Sequence, residues 1–317
     1  MPPRNHRLTN NHKAPLRGEK DKLGNNVIVF INGERGLGVL PILRKKFHTS
    51  TVVVLSGQRK LFGAVRKIHP RIHGNILVAH NVNSPSFLAR LRKLKPQLHV
   101  VAGFPQIFRK PLLRVPKRGT INLHAGRLPQ YRGGSPLNWQ IINGEKEIGI
   151  STILMDEGID SGRVLATSRF RLAPQDTIRE AHAKANALFP GILMRAIRKV
   201  LLKGARAGRS QNPRNAGYWH QRGDEDGEID FQRMGAREVI CKVRALTHPY
   251  PGAWALLKKK RIRIYAAQMP ELFYRGTPGR VLGNRSGQLL VGCRDFAVCL
   301  TDTEPSLRRS GVFYFDR

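Results

Sequence analysis

Apolar residues recur along this chain in two rhythms, and they alternate in an order that already implies a topology. Val27-Ile28-Val29-Phe30-Ile31 is a continuous apolar run, as a strand buried on both faces requires. Asn32-Gly33-Glu34-Arg35-Gly36-Leu37-Gly38 reads as a tight turn into a helix over Val39 to Lys46. Thr51 to Leu55 forms a second strand, followed by the basic stretch Gln58 to His73 with Phe62 and Val65 as core contacts. Ile76 to Val78, a helix from Ser84 or Ser86 to Lys95, and His99 to Ala102 continue the series. Alternating strands and helices predict a largely parallel, doubly wound sheet.

Pro96 stops the last of these helices, and Gly103 to Ile107 turns at the carboxyl end of a strand, where open α/β sheets bind ligands. Farther on, Pro136 to Ile142 predicts a short helix with Pro136 in its first turn, and Thr177 to Leu202 a long one closed by Gly204. Residues 205–216, rich in Arg, Gly and Asn, read as a linker. A helix over Ala236 to Leu246 and the block His248 to Trp254 come next. Short strands at 261–265, 278–282, 289–291 and 296–298 predict a small β-barrel at the end. The expected organisation is thus a tail at 1–24, a Rossmann-like mostly parallel sheet domain at 25–204, a linker at 205–216 and a C-terminal OB-like domain at 217–317.

Composition changes the picture in one respect. Among 317 residues there are 56 Lys and Arg against 21 Asp and Glu, a net charge of +35. Such a field favours polyanions, and nucleic acid, nucleotide sugars and folate polyglutamate all qualify; a compositional bias with no partner gives the same count. Residues 1–24 are basic and Pro-containing without apolar periodicity, the pattern of a disordered tail, and no aromatic residue interleaves their charges. Cys241, Cys293 and Cys299 are too scattered for a disulfide framework or a zinc site, so free thiols and no metal are expected. No apolar run approaches the ~18 residues of a membrane span, which predicts a cytoplasmic protein.

The chemistry concentrates in Thr120 to Leu165. In Thr120-Ile121-Asn122-Leu123-His124 the strand period puts Ile121 and Leu123 on one face, Asn122 and His124 on the other. A second apolar run, Ile150 to Met155, leads through a Gly158-containing turn to Asp160 at a strand end. An amide and an imidazolium can stabilise a developing oxyanion, and a carboxylate can orient the imidazole or relay a proton. Asn122, His124 and Asp160 are therefore the candidate catalytic residues; a strand histidine satisfied within the core is the competing reading.

Asn122-Leu123-His124, Leu128-Pro129-x-Tyr131-Arg132-Gly133 and Met155-Asp156-Glu157-Gly158-Ile159-Asp160-Ser161-Gly162 together resemble the signature of the 10-formyltetrahydrofolate-dependent formyltransferases. The resemblance extends from the end of the tail to the C-terminus. It implies formyl transfer from 10-formyltetrahydrofolate to a primary amine. Phe104, Ile107, Leu128, Pro129, Met155 and Gly158 would then be cofactor contacts, and Arg127, Tyr131, Arg132 and Gly133 substrate contacts. One departure stands out: Gly126-Arg127-Leu128-Pro129 replaces the usual Ser-Leu-Leu-Pro, and Arg127 either meets an anionic substrate or snorkels to the surface. The Leu137-Asn138-Trp139 helix and the compact Tyr250-Pro251-Gly252 module favour a nucleotide-linked amino sugar as acceptor. Initiator methionyl-tRNA is the alternative, favoured by the charge, and a non-catalytic folate or nucleic-acid binder the third. Oligomeric state is not legible.

Overall fold

The computed structural model describes residues 26–47, 49–68, 76–285, 288–307 and 314–316. The predicted tail at 1–24 lies outside these residues. The chain opens β1 (Asn26–Ile31), α1 (Gly33–Lys46), β2 (Thr49–Leu55), α2 (Arg59–Ile68), β3 (Ile76–Ala79), α3 (Pro85–Lys93) and β4 (Leu98–Ala102). It continues through α4 (Lys110–Leu113), β5 (Thr120–His124), β6 (Arg132–Gly133), α5 (Pro136–Ile142), β7 (Ile148–Leu154) and β8 (Arg163–Phe170). The long α6 (Ile178–Lys203) precedes β9 (Tyr218–Trp219), α7 (Ala236–Leu246), β10 (Ala253–Leu257), β11 (Lys260–Gln268), β12 (Val281–Arg285), β13 (Gln288–Gly292) and β14 (Ala297–Glu304).

Among the described residues the first sheet runs β3-β2-β1-β4-β5-β7-β8, parallel as far as β5 and antiparallel thereafter. The Rossmann-like expectation holds. β8 was not anticipated, because Arg163, Ser168 and Arg169 interrupt its apolar pattern on an edge strand that is buried only in its first half. The first helix also begins earlier than expected, at Gly33. Glycine at 36 lets it close on β1, since a Cβ there would lie 2.4 Å from the Ile31 Cβ. The glycines expected to form a turn are therefore inside a helix.

One apolar core runs from Val27 and Val29 through Phe189 of α6 to Val243 of α7 and Val298 of β14, so the C-terminal unit packs on the first domain. On the other face of the sheet a separate core gathers Phe30, Phe104, Phe108 and Leu112. The C-terminal strands form an antiparallel OB-like sheet ordered β10-β11-β14-β13-β12, whose two outer strands are not paired with each other among the described residues. β10 begins at the end of the block His248 to Trp254, where no strand was expected, and its Ala253, Trp254 and Ala255 are buried. In the acidic turn at 224–228, Asp224 pairs with Arg261 at 2.6 Å and Arg263 at 2.7 Å and ties that turn to β11. Cys241, Cys293 and Cys299 are free. Among the described residues no helix is long and apolar enough to cross a membrane.

The capping box of α6 supplies the first test. The Thr177 hydroxyl and backbone N–H both donate to the Glu180 carboxylate, at 2.6 and 2.8 Å, and hold its pKa down at about 2. A depressed carboxyl contributes stability that is complete above its unfolded value, near ~4.3, and lost as pH falls through its folded one. Glu180→Ala should lower Tm by about 2–4 °C near neutrality. The wild-type and variant melting curves should converge between about pH 5 and pH 2; a pH-independent difference would contradict this.

Candidate active site

Strand alternation places Asn122 and His124 together at the carboxyl end of β5, and the turn after β7 brings Asp160 back to them. The Asn122 Nδ2 donates to Asp160 Oδ1 at 3.3 Å, and His124 Nδ1 lies 3.4 Å from Asp160 Oδ2. The Gly133 N–H also donates to Oδ2, at 2.9 Å. His124 is buried, and its Nε2 is 2.5 Å from the Tyr131 carbonyl oxygen. A carbonyl oxygen only accepts, so Nε2 carries a proton and Nδ1 is the nitrogen turned to Asp160. Asn122 has two amide protons and spends one on Asp160, which leaves one for a reacting oxygen.

Asp160 adopts a left-handed backbone at φ 49°, unusual for a residue with a side chain, and it needs support. Gln211 provides it from the segment between the domains: its Nε2 donates to the carbonyls of Asp160 and Gly162, each at 2.7 Å. Arg132 in turn fixes Gln211, donating from Nε to Oε1 at 3.0 Å. The stretch 205–216 lies along β8, with Val164 and Arg209 exchanging backbone hydrogen bonds at 2.8 and 2.9 Å. Its polar composition gave no sign that Gln211 would hold the carboxylate loop.

The trio opens into a cavity of ≈ 1710 Å³ whose lining falls into two parts, one on each face of the sheet. One lobe is apolar, with Phe104, Ile107, Met155, Gly158 and Ile159. Ile107 is 73% exposed and Ile159 57%, which leaves apolar surface for a flat ligand to cover. The loop carrying Phe104 and Ile107 is pinned: Gln106 accepts from Val82 N at 3.0 Å, and Asn83 donates to the Ile107 carbonyl at 2.9 Å. The other lobe is polar and includes Arg35, Asn138, His182, Asn186 and Tyr250.

Several expected contacts lie elsewhere. The Arg127 guanidinium turns to Glu145, 2.5 Å away, outside the cavity lining. The Tyr131 hydroxyl donates to the same carboxylate at 2.7 Å, and burial followed by that bond raises its pKa to about 12. Only the backbone carbonyl of Tyr131 reaches the trio. Arg132 is buried against Tyr218 and Gln211, so it supports Asp160 from behind. Leu128 packs with Ile153, Val164 and Met155 beneath the apolar lobe, and Pro129 is buried beside it with its carbonyl accepting from Gly217. Neither borders the cavity. Gly133 does reach it, through both its surface and its N–H. At Gly126 a Cβ would stand 2.5 Å from both His124 Nε2 and the Tyr131 carbonyl, so the departure from serine matches a close approach of backbone to the imidazole. Among the described residues no group of three or more metal-ligating side chains occurs.

A family model described as formyl transferase matches residues 25–197, and one described as formyl transferase, C-terminal domain, matches residues 223–309. A methionyl-tRNA formyltransferase of Caldanaerobacter subterraneus subsp. tengcongensis is 32% identical over 261 residues, 81% of this chain and 82% of its own length. The N-formyltransferase from Helicobacter canadensis, solved with folinic acid and dTDP-3-aminofucose, superposes with a TM-score of 0.64 at 16% identity, over 88% of this chain and 99% of that one. HypX from Aquifex aeolicus, solved with tetrahydrofolic acid, gives 0.61 at 19% identity over 88% of this chain but only 44% of HypX.

Gln211→Ala removes both supports of the 156–162 turn at once. Each hydrogen bond contributes on the order of 1 kcal/mol, so amide exchange across that turn should accelerate about tenfold or more while β7 stays protected. Hydrogen-exchange mass spectrometry on peptides covering 155–163 and 148–154 reads this. Unchanged exchange in the first peptide would show that Gln211 does not hold the turn.

Proposed function

The chain belongs to the formyl transferase family and is a formyltransferase, and on that premise we propose that it moves a formyl group from 10-formyltetrahydrofolate to the amine of a nucleotide-linked amino sugar. The observation that carries the reading is the meeting of Asn122, His124 and Asp160 where an apolar and a polar lobe join. The apolar lobe fits the folate: Phe104 and Met155 form its walls, Gly158 its rim, and Ile107 and Ile159 offer the surface a flat ring would cover. Bound there, 10-formyltetrahydrofolate supplies an activated formyl group.

The remaining amide proton of Asn122 donates to the formyl oxygen as negative charge develops on it, while His124, whose Nε2–H is taken by the Tyr131 carbonyl, adds a donor only through Nδ1, once that nitrogen carries a proton. Asp160 accepts the proton that the attacking amine sheds as its nitrogen bonds the formyl carbon, and returns it to the folate nitrogen whose bond to that carbon breaks, so the carboxylate beside His124 is restored at the end of the transfer. Because Asn122 and Gly133 already donate to that carboxylate, the site is arranged before the substrates arrive, which lowers the reorganisation the reaction requires. A non-catalytic binder would have no use for such an arrangement.

The polar lobe is rimmed by Trp219, which stacks on Tyr131 at 5.7 Å and lies 5.0 Å from Trp139. An aromatic rim over a polar interior suits a small acceptor with a nucleobase. The crystallised relative with dTDP-3-aminofucose has the same fold, and this supports the sugar reading to that extent. The second reading, initiator methionyl-tRNA as acceptor, draws on the 32% identity to a methionyl-tRNA formyltransferase and on the net charge of +35.

Two outcomes follow. Asn122→Ala should lower single-turnover kcat by about 10²–10³-fold with the fold intact; a near-normal rate would remove Asn122 from the mechanism. Formylation of a nucleotide amino sugar should change only mildly as salt is raised. Formylation of tRNA would fall as a steep power of salt concentration, losing ~10³-fold or more between about 50 and 200 mM if six or more phosphates are contacted. Turnover confined to tRNA, with that slope, would overturn the sugar reading.

A further inference from the structure

Arg35 stands in the first turns of α1, at the edge of the polar lobe, and its charge is poorly matched. Among the described residues its Nη1 reaches only the Leu123 carbonyl, at 3.5 Å, and its Nε is buried without a hydrogen-bond partner. Among the described residues no carboxylate pairs with it. The guanidinium lies 5.0 Å from the centre of the Phe189 ring, an apolar shelf from the core that keeps it aimed at the cavity. A desolvated arginine is ordinarily compensated by an anion, because removing a cation from water without a partner is costly.

The surroundings repeat the deficit. His182 on α6 shares a hydrogen bond with the Tyr250 hydroxyl at 3.1 Å. Behind Tyr250, Arg222 lies 5.1 Å from the centre of its ring, with an Nε that is buried and has no partner among the described residues. The Asn186 Oδ1 is likewise buried without a partner among the described residues. Burial, and then the charge of Arg35, push His182 down to about 4; burial also pushes Arg35 down to about 10, against the pull of Tyr250. Two guanidiniums act on one tyrosine; Asp224 offsets part of the charge of Arg222, but among the described residues no carboxylate pairs with Arg35, which keeps a positive potential that a ligand can balance.

We propose that Arg35, with His182, Asn186 and Tyr250, seats a phosphate-type oxyanion of the acceptor, on the face of the sheet opposite the folate lobe. The proposal rests on the acceptor being a nucleotide-linked amine and identifies which part of it is read. Folate could bring carboxylates to the same arginine, but the apolar lobe where its ring fits lies on the other face. The acceptor is therefore the better source of the anion.

Calorimetry on the full chain, with inorganic pyrophosphate, dTDP and folinic acid as probes, tests it. Pyrophosphate and dTDP should compete with each other in the wild type. Arg35→Gln should weaken both about tenfold or more, the effect of losing a hydrogen bond to a charged group. Arg35→Lys should fall between, and folinic acid should bind all three proteins equally, which also shows that they fold. A measurement free of substitution accompanies these: in the wild type the NMR-observed pKa of His182 should rise when pyrophosphate is added, because an adjacent anion favours the imidazolium. The proposal fails if neither pyrophosphate nor dTDP binds, if Arg35→Gln binds both normally, if the loss falls on folinic acid, or if His182 does not respond. Loss of dTDP affinity in Arg35→Gln with no formylation of dTDP amino sugars by the wild type would leave the anion seat standing and remove the sugar reading. Amino-sugar formylation with an unchanged KM in Arg35→Gln would do the reverse.

Discussion

The carboxylate of Asp160 is the point on which this molecule turns. It is held in a left-handed turn, accepts from the side chain of Asn122 and the backbone of Gly133, and faces the imidazole of His124. None of these contacts is local in sequence: Asn122 and Asp160 are separated by 38 positions, and Gln211, which holds the turn, by 51 from Asp160. The sheet brings them together. β5 ends where β4 also ends, β7 returns antiparallel beside it, and the segment after α6 closes over β8. A Rossmann-like sheet therefore provides the location, and its switch from parallel to antiparallel strands delivers the acid.

Asymmetry across the sheet follows from the same arrangement. Phe104 and Met155 belong to the smaller core on one face, and the surface above them is apolar. α1 and α6 cover the other face, and their cavity-facing positions carry Arg35, His182 and Asn186. A reaction that joins a flat heterocyclic donor to a polar acceptor needs two such surfaces with a proton-handling group between them. Water is excluded from His124 by its burial, which makes each oriented dipole there more effective than it would be in solvent.

Much of this was legible from periodicity. The parallel strands, α5, α6 and α7 emerged from apolar spacing and from Pro and Gly at helix ends, and period-two alternation alone put Asn122 and His124 on one face. The misreadings have physical causes. β8 is an edge strand carrying Arg163 and Arg169, so its pattern breaks. Gly33 and Gly36 look like turn residues, yet Gly36 is required by the contact with Ile31 inside a helix. Arg127 and Tyr131 sit next to the signature but direct their side chains to Glu145, a partner that composition cannot reveal. Gln211 and Arg35 were missed for the converse reason: each acts through one long-range contact or one unfilled valence, and neither leaves a pattern in the neighbouring residues.

The central claim is that Asn122 and Asp160 act as one unit. A double-mutant cycle with Asn122→Ala and Asp160→Ala, followed by single-turnover formyl transfer to the identified amine, tests it most directly. If the amide and the carboxylate depend on each other, the double variant should be little slower than the worse single variant, an interaction of about 1–3 kcal/mol or more. Losses that simply multiply would mean that the two groups act independently, and the account of a single preorganised site would be contradicted.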